Sequence, residues 1–337
     1  MSLALDPSMA DALAAVSVTP DDVVECVPLT GGTYNAVTRV VLRDGRRWVV
    51  KLPPPGNSGT TLTYEHNLLY GESVYYRAAT EVSGVPVPHV VHTGLGPEPP
   101  LVSSLIMAEC PGTPWHETDE RLAPDNRAGL REELGYLVAR LHTVTGPGFG
   151  YPSRPFEFPA SSWRRAFTDM TDAVLDDAER YGARLPRPVA TVRTVLASAA
   201  DVLDDVTRPA LVHFDLWQGN LLLDGPPGER TIGGIIDGER MFWGDPVAEF
   251  VSLALFGDIE RDEAFLTGCA AAGGAVEFTD SARLRLDLYR CYLYLIMLVE
   301  TVPRRYSREQ RAWTWTHAGR ALVAALDAVG SAVSGRA

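Results

Sequence analysis

The segment from Leu211 to Arg240 constrains this chain more than any other. It reads Leu-Val-His213-Phe-Asp215-Leu-Trp-Gln-Gly-Asn220-Leu-Leu-Leu-Asp224. A turn, Gly225-Pro226-Pro227-Gly228, follows, and then Ile232-Gly-Gly-Ile-Ile-Asp237-Gly-Glu239-Arg240. Short apolar runs at Leu211-Val212, Leu221 to Leu223 and Ile235-Ile236, divided by turn residues, predict a hairpin of buried strands. Asp215, Asn220 and Asp237 then fall where the chain enters or leaves those strands, close enough to converge.

Two carboxylates and an amide oxygen meeting at one point are the set that phosphoryl transfer requires. One acid takes or orients the proton of an attacking hydroxyl, while the amide and the other acid hold magnesium against nucleotide phosphates. The run His213-x-Asp215-x4-Asn220, with Asp237 coming 17 residues later, resembles the catalytic and metal loops of the aminoglycoside phosphotransferase family. These are kinase-fold phosphotransferases of small molecules. Gly244-Asp245-Pro246 extends the resemblance. It implies an α+β, bilobal, protein-kinase-like fold, with a small N-terminal antiparallel sheet lobe and a larger, mainly helical C-terminal lobe. It also implies Asp215 as the catalytic acid–base, Asn220 and Asp237 as magnesium ligands, and ATP or GTP as the phosphoryl donor. Protein-kinase regulation is not expected: Phe214 stands where protein kinases carry Arg, and no Ala-Pro-Glu follows Asp237.

The N-terminal third fits the same scheme. Cys26 to Leu29 and Ala36 to Leu42 read as strands around Thr30-Gly31-Gly32-Thr33-Tyr34-Asn35, and Asp44-Gly45 marks the next hairpin turn. Such a turn is usually only a turn, but in the resembling family a Gly-Gly-x-x-Asn loop covers the nucleotide, which points to Gly31, Gly32, Thr33 and Asn35. The third strand, Arg47 to Leu52, carries Lys51, the only lysine among 30 basic residues. A compact ammonium kept where arginine serves everywhere else fits contact with phosphate. A helix over Tyr64 to Ala79 offers Glu65 or Glu72 as its ion-pair partner, and the family spacing favours Glu72. Val87 to His92 and Leu101 to Ala108 read as two further strands, running into a hinge at Glu109 and Cys110 whose main chain would meet the base. The lobe boundary is placed there, giving residues 1–110 and 111–337.

Beyond the hinge, helices are expected over Leu130 to His142, Ser162 to Tyr181, Pro188 to Val206, Val247 to Phe256, Arg283 to Val302 and Trp313 to Val329. The acidic run Asp258, Glu260, Asp262 and Glu263 has two readings. It is either a solvated helix start favoured by the helix dipole, or part of a pocket for an amine- or guanidine-bearing acceptor.

A formal charge of −13 argues against a nucleic-acid partner and fits a cationic small substrate, although solubility alone explains an acidic surface. Four scattered cysteines give neither a disulfide framework nor a zinc site. The N-terminus lacks a leader pattern, and the longest apolar run, Cys291 to Val299, is too short for a bilayer, so a cytoplasmic protein is expected. Neither a Gly-x4-Gly-Lys-Ser/Thr loop nor a Gly-x-Ser-x-Gly elbow is present. Trp217-Gln218-Gly219-Asn220 resembles the fructosamine kinases, whereas Gly244-Asp245-Pro246 leans toward the antibiotic and sugar kinases. Aminoglycoside, other antibiotic, amino sugar, sugar, choline-like and homoserine-like acceptors stay open, as does a catalytically silent nucleotide-binding protein.

Overall fold

A computed structural model describes residues 5–29, 35–53, 61–95, 102–153, 155–274 and 276–336. The chain opens on helix α1 (Pro7–Ala14). Asp6 caps it by accepting from the Ser8 N–H at 2.9 Å, and Pro7 occupies the first turn, where no N–H is needed. Strands β1 (Val23–Pro28), β2 (Ala36–Leu42) and β3 (Arg47–Leu52) follow, then helix α2 (Leu68–Ala79) and strands β4 (Val90–Leu95) and β5 (Val102–Ala108). The five strands form one antiparallel sheet in the order β1-β2-β3-β5-β4. Alternation along β3 sorts its side chains between two faces. Trp48 and Val50 join Val40, Leu42 and Ile106 in a core with Met9 and Leu13 of α1. Lys51 is thereby turned to the opposite face, toward α2.

The remainder is mostly helical. It comprises β6 (Thr113–Pro114), α3 (Trp115–Thr118), α4 (Pro124–Leu141), α5 (Trp163–Tyr181), α6 (Val189–Ser198), β7 (Ala210–Val212), β8 (Leu221–Asp224), β9 (Thr231–Ile235) and β10 (Phe242–Gly244). Helices α7 (Phe250–Leu253), α8 (Glu263–Ala271), α9 (Asp280–Val299) and α10 (Arg308–Ser334) complete it. From Leu288 to Val299 every residue of α9 except Arg290 and Met297 is buried, which makes this helix the axis of the core. Its tyrosines bury their rings and satisfy their hydroxyls: Tyr289 accepts from Trp163 Nε1 at 2.7 Å, and Tyr292 meets the Tyr151 hydroxyl at 3.0 Å. No helix among the described residues is long and apolar enough to cross a membrane.

Several elements differ from the sequence expectation for local reasons. The helix expected from Tyr64 begins only at Leu68, because Asn67 takes a left-handed conformation (φ 63°) after a 3-10 turn at Thr63–Glu65. Glu65 therefore lies off α2; it accepts from the Leu62 N–H at 2.8 Å and pairs with Arg304. The strand expected from Val87 starts at Val90, since Pro86 and Pro88 have no N–H for a ladder. Helical structure after Pro246 is a 3-10 turn and the short α7 rather than one helix to Phe256. The hairpin is β8 with β9, as expected, but β7 pairs instead with β10, a strand the sequence reading did not identify.

Candidate active site

Three segments bring the site together: β3, α2, and the two loops after β7 and β9. Lys51 on β3 extends its ammonium to Glu72 Oε1 of α2 at 2.7 Å and to Asp237 Oδ1 at 2.6 Å. These groups are distant along the chain, so the contact is a tertiary product of the sheet face chosen by Lys51. Burial alone would favour loss of the Lys51 proton, but Asp237, Glu72 and Glu239 outweigh it and hold the ammonium well above the ordinary lysine range. Burial likewise pushes the Asp237 carboxyl up, yet Lys51 reverses the effect and leaves it below the usual carboxylate range. Glu72 stays raised because its burial exceeds the help from Lys51. Glu239 is pushed up to about 8 by burial and then by the neighbouring Asp237 charge.

Tyr76, one turn beyond Glu72, ties the helix to the metal loop. Its hydroxyl donates to Glu72 Oε1 at 2.8 Å and accepts from the Asp237 backbone N–H at 2.8 Å. Asp237 sits at φ 64°, a left-handed backbone that a non-glycine residue adopts at a cost, and this part-buried N–H contact holds it there. At the next position a Cβ would come within 2.4 Å of the Tyr75 ring, so only glycine fits at Gly238.

The loop after β7 is fixed from below. Glu249 accepts from the N–H groups of His213 and Phe214, both at 2.8 Å, and Ser252 Oγ accepts from Leu216 at 3.0 Å. His213 is buried; its Nδ1 accepts from the Asp215 N–H at 3.2 Å, so Nε2 carries the proton and donates to the Ile236 carbonyl at 2.9 Å. That histidine is a spacer between the two loops. Asn220 Nδ2 donates to the Asp215 carbonyl at 2.8 Å, which leaves its amide oxygen for another partner. Asp245 in turn is locked by Arg285 at 3.1 Å and by the Tyr289 hydroxyl at 2.7 Å, and it caps the turn that delivers Glu249.

Lys51, Asp215, Asn220 and Asp237 line one cavity of about 300 Å³, together with Asn35, Glu239 and Arg240. The four central residues expected from the sequence are thus brought together, with Glu72 behind Lys51. Asn35 donates to Glu239 Oε2 at 3.0 Å; Gly31, Gly32 and Thr33 lie outside the described residues. Glu109 and Cys110 follow β5 but do not line this cavity, and the Glu109 N–H is already given to the Arg47 carbonyl at 3.0 Å. The acidic run also lies elsewhere. Glu260 pairs with Arg283 at 2.7 Å, Asp262 pairs with Arg131 at 2.6 Å and caps α8, Asp258 caps the turn before it, and Glu263 opens α8. Asp258, Glu260 and Asp262 thus have local structural partners, and Asp258 and Glu260 also border a second cavity with Asp287 and Arg290.

The sequence reading missed Glu239, Arg240, Tyr76, Glu249 and Glu300. Only Glu239 and Arg240 carried a signal, lying two and three positions past Asp237. Glu72, Asp237 and Glu239 each offer an oxygen within 4.8 Å of the others. Three acids around one ammonium are short of positive charge, and hard oxygen donors of this kind suit magnesium.

The sequence matches the phosphotransferase enzyme family, by the description "Phosphotransferase enzyme family", over residues 25–288. The chain belongs to this family. No curated protein sequence matches it. Among solved structures, a putative fructosamine-3-kinase from Thermobifida fusca YX-ER1 is similar at 21% identity, with a TM-score of 0.68 and coverage of 96% of this chain and 98% of that one. An ADP-bound aminoglycoside phosphotransferase, APH(2'')-Ib, is similar at 16% identity and TM-score 0.59, covering 96% and 99%. A microcompartment-associated aminopropanol kinase is similar at 18% identity and TM-score 0.60, covering 97% and 99%. These phosphotransferases share the kinase-like fold, a sheet-bearing N-terminal part and a larger helical part. The family assigns phosphotransfer to a small molecule.

Proposed function

We propose that this phosphotransferase moves the γ-phosphoryl group of ATP, or of GTP, to a hydroxyl of a small molecule: ATP4− + R–OH → ADP3− + R–OPO3(2−) + H+. Asp215 is the acid–base: its carboxylate takes or orients the acceptor's hydroxyl proton as the oxygen attacks phosphorus. Lys51 steadies the α- and β-phosphates and is itself aimed by Glu72. Asn220 and Asp237, with Glu239 beside them, would hold Mg2+, which when bound shields the phosphate charges. In this reading residues 1–110 serve the nucleotide and residues 111–337 supply the catalytic loops and the acceptor wall.

The observation that carries the proposal is Lys51 bonded at once to Glu72 and Asp237, beside Asp215 in a single cavity. Positioning and charge stabilisation are what such an array supplies. The test is thermal stability with and without ATP and Mg2+, followed by ADP release across an acceptor panel. Stabilisation by the pair and acceptor-dependent ADP are expected. Stabilisation with no turnover of any acceptor would favour a silent nucleotide-binding protein instead.

A further inference from the structure

On the helical side the cavity is closed by Arg240, Leu255, Leu293, Met297, Glu300 and Tyr306. Outside the catalytic and metal loops, Glu300 is the only carboxylate among the described residues that lines it. Glu300 is 6% exposed and has both oxygens engaged. Oε2 accepts from Arg240 Nη2 at 3.1 Å and lies 3.5 Å from Arg304 Nη1, while Oε1 accepts from the Tyr306 hydroxyl at 3.3 Å. Arg304 also pairs with Glu65 behind the wall. Arg240 has five N–H donors by its chemistry, and Glu300 takes the one hydrogen bond its side chain gives among the described residues. Its Nε stands 3.8 Å from Asp215 Oδ2, next to where the attacking hydroxyl must sit.

This wall therefore offers N–H donors and apolar surface; its own acid, Glu300, is engaged, and the acid facing it, Asp215, already lies 3.8 Å from the Arg240 guanidinium. An ammonium placed there would face two guanidiniums, find Glu300 saturated, and compete with Arg240 and the attacking hydroxyl for Asp215. Hydroxyl, carbonyl or carboxylate oxygens would meet donors, and a C–H face would meet Leu255, Leu293 and Met297. The acidic run at Asp258 to Glu263 cannot make up the deficit, since it does not line the cavity. The cavity, of about 300 Å³, is shared with the phosphate-binding side.

We infer that the acceptor is a polyol or hydroxy acid that presents oxygens to Arg240 and carries no ammonium group. The inference rests on the phosphotransfer reading above and narrows it. The experiment compares matched acceptors at pH 7 with the intact protein, ATP and Mg2+: glucose with glucosamine, glycerol with 2-amino-1,3-propanediol, and glycerate alone. At least one ammonium-free acceptor is expected to be turned over, with kcat/KM about tenfold or more above its amino partner, the scale of one mismatched polar contact. Arg240→Gln should raise KM for that acceptor and leave KM for ATP unmoved. Turnover confined to amine-bearing acceptors, or no turnover of any ammonium-free one while Mg–ATP still stabilises the fold, would overturn the acceptor class alone. Failure of Mg–ATP to bind would instead remove the phosphotransfer reading beneath it.

Discussion

The two ends of the cavity are charged in opposite ways. Around Lys51, three carboxylates (Glu72, Asp237 and Glu239) share one ammonium, and Glu239 responds with a carboxyl pushed up to about 8. Around Glu300, two guanidiniums and a phenol converge on one carboxylate, and both of its oxygens are engaged. One end lacks positive charge and the other lacks hydrogen-bond acceptors. An imbalance held inside a folded protein costs stability, so each end marks the charge or polarity of what is to bind there. The first is complementary to a divalent cation with phosphates, the second to an oxygen-bearing acceptor.

The largest effect expected on this contrast comes from the group between the two ends. Asp215→Ala should lower kcat roughly 10²- to 10⁴-fold, the usual contribution of a general base, with the melting temperature preserved. Steady-state kinetics and a melting curve check both halves, and a folded variant as fast as wild type would take Asp215 out of the mechanism.

Tyr76→Phe comes next. It removes one donor and one acceptor at once, leaving the part-buried Asp237 N–H without its Tyr76 partner and Glu72 less firmly held. The Mg2+ concentration needed for half-maximal rate should rise, and kcat should fall by roughly 10- to 100-fold, as for other groups that orient metal ligands. Faster hydrogen exchange of the Asp237 amide in the metal-free protein is an independent readout. Tyr76→Gln, which restores both bonding capacities, should recover part of the loss. A variant with a lower melting temperature but an unchanged Mg2+ midpoint would assign Tyr76 to packing alone.

A smaller effect should appear in the pH dependence of stability. The Glu239 carboxyl titrates higher in the folded protein than in the unfolded chain, so the folded state binds its proton more tightly. Its contribution is complete below the unfolded value, near 4.5, and is lost as pH rises through about 8. Metal-free protein should therefore melt at a lower temperature at pH 8.5 than at pH 6.5 through this group, and Glu239→Gln should flatten that slope. An identical slope in the variant would contradict the shortage of charge described here. The smallest effect is reserved for the acidic run: Glu260→Gln, remote from the cavity, should leave kcat/KM unchanged.

Much of this site was legible before any coordinates. Asp215, Asn220 and Asp237 stood out because a turn and strand boundary fix their spacing, and Lys51 because a chain built on arginine keeps one lysine. β10 was not legible, since Phe242-Trp243-Gly244 is too short to show alternation and gains its partner, β7, only through tertiary contact. Tyr76 gave no signal in the sequence, because a phenol bonded to a distant backbone leaves no periodic trace. The acidic run stayed ambiguous for a related reason. Sequence displays the carboxylates of Glu260 and Asp262 but not the arginines, Arg283 and Arg131, that the fold brings to them.

The central claim is that the acids around Lys51 await a metal-bound nucleotide. Isothermal titration of Mg–ATP into wild-type protein and Asp237→Asn tests it most directly, with the fold of each checked by circular dichroism. Tight binding to wild type, coupled to proton release near pH 7 and weakened at least tenfold in Asp237→Asn, is the result the account predicts, a change of about 1.4 kcal/mol or more. Equal affinity in both proteins, with no proton released, would contradict it.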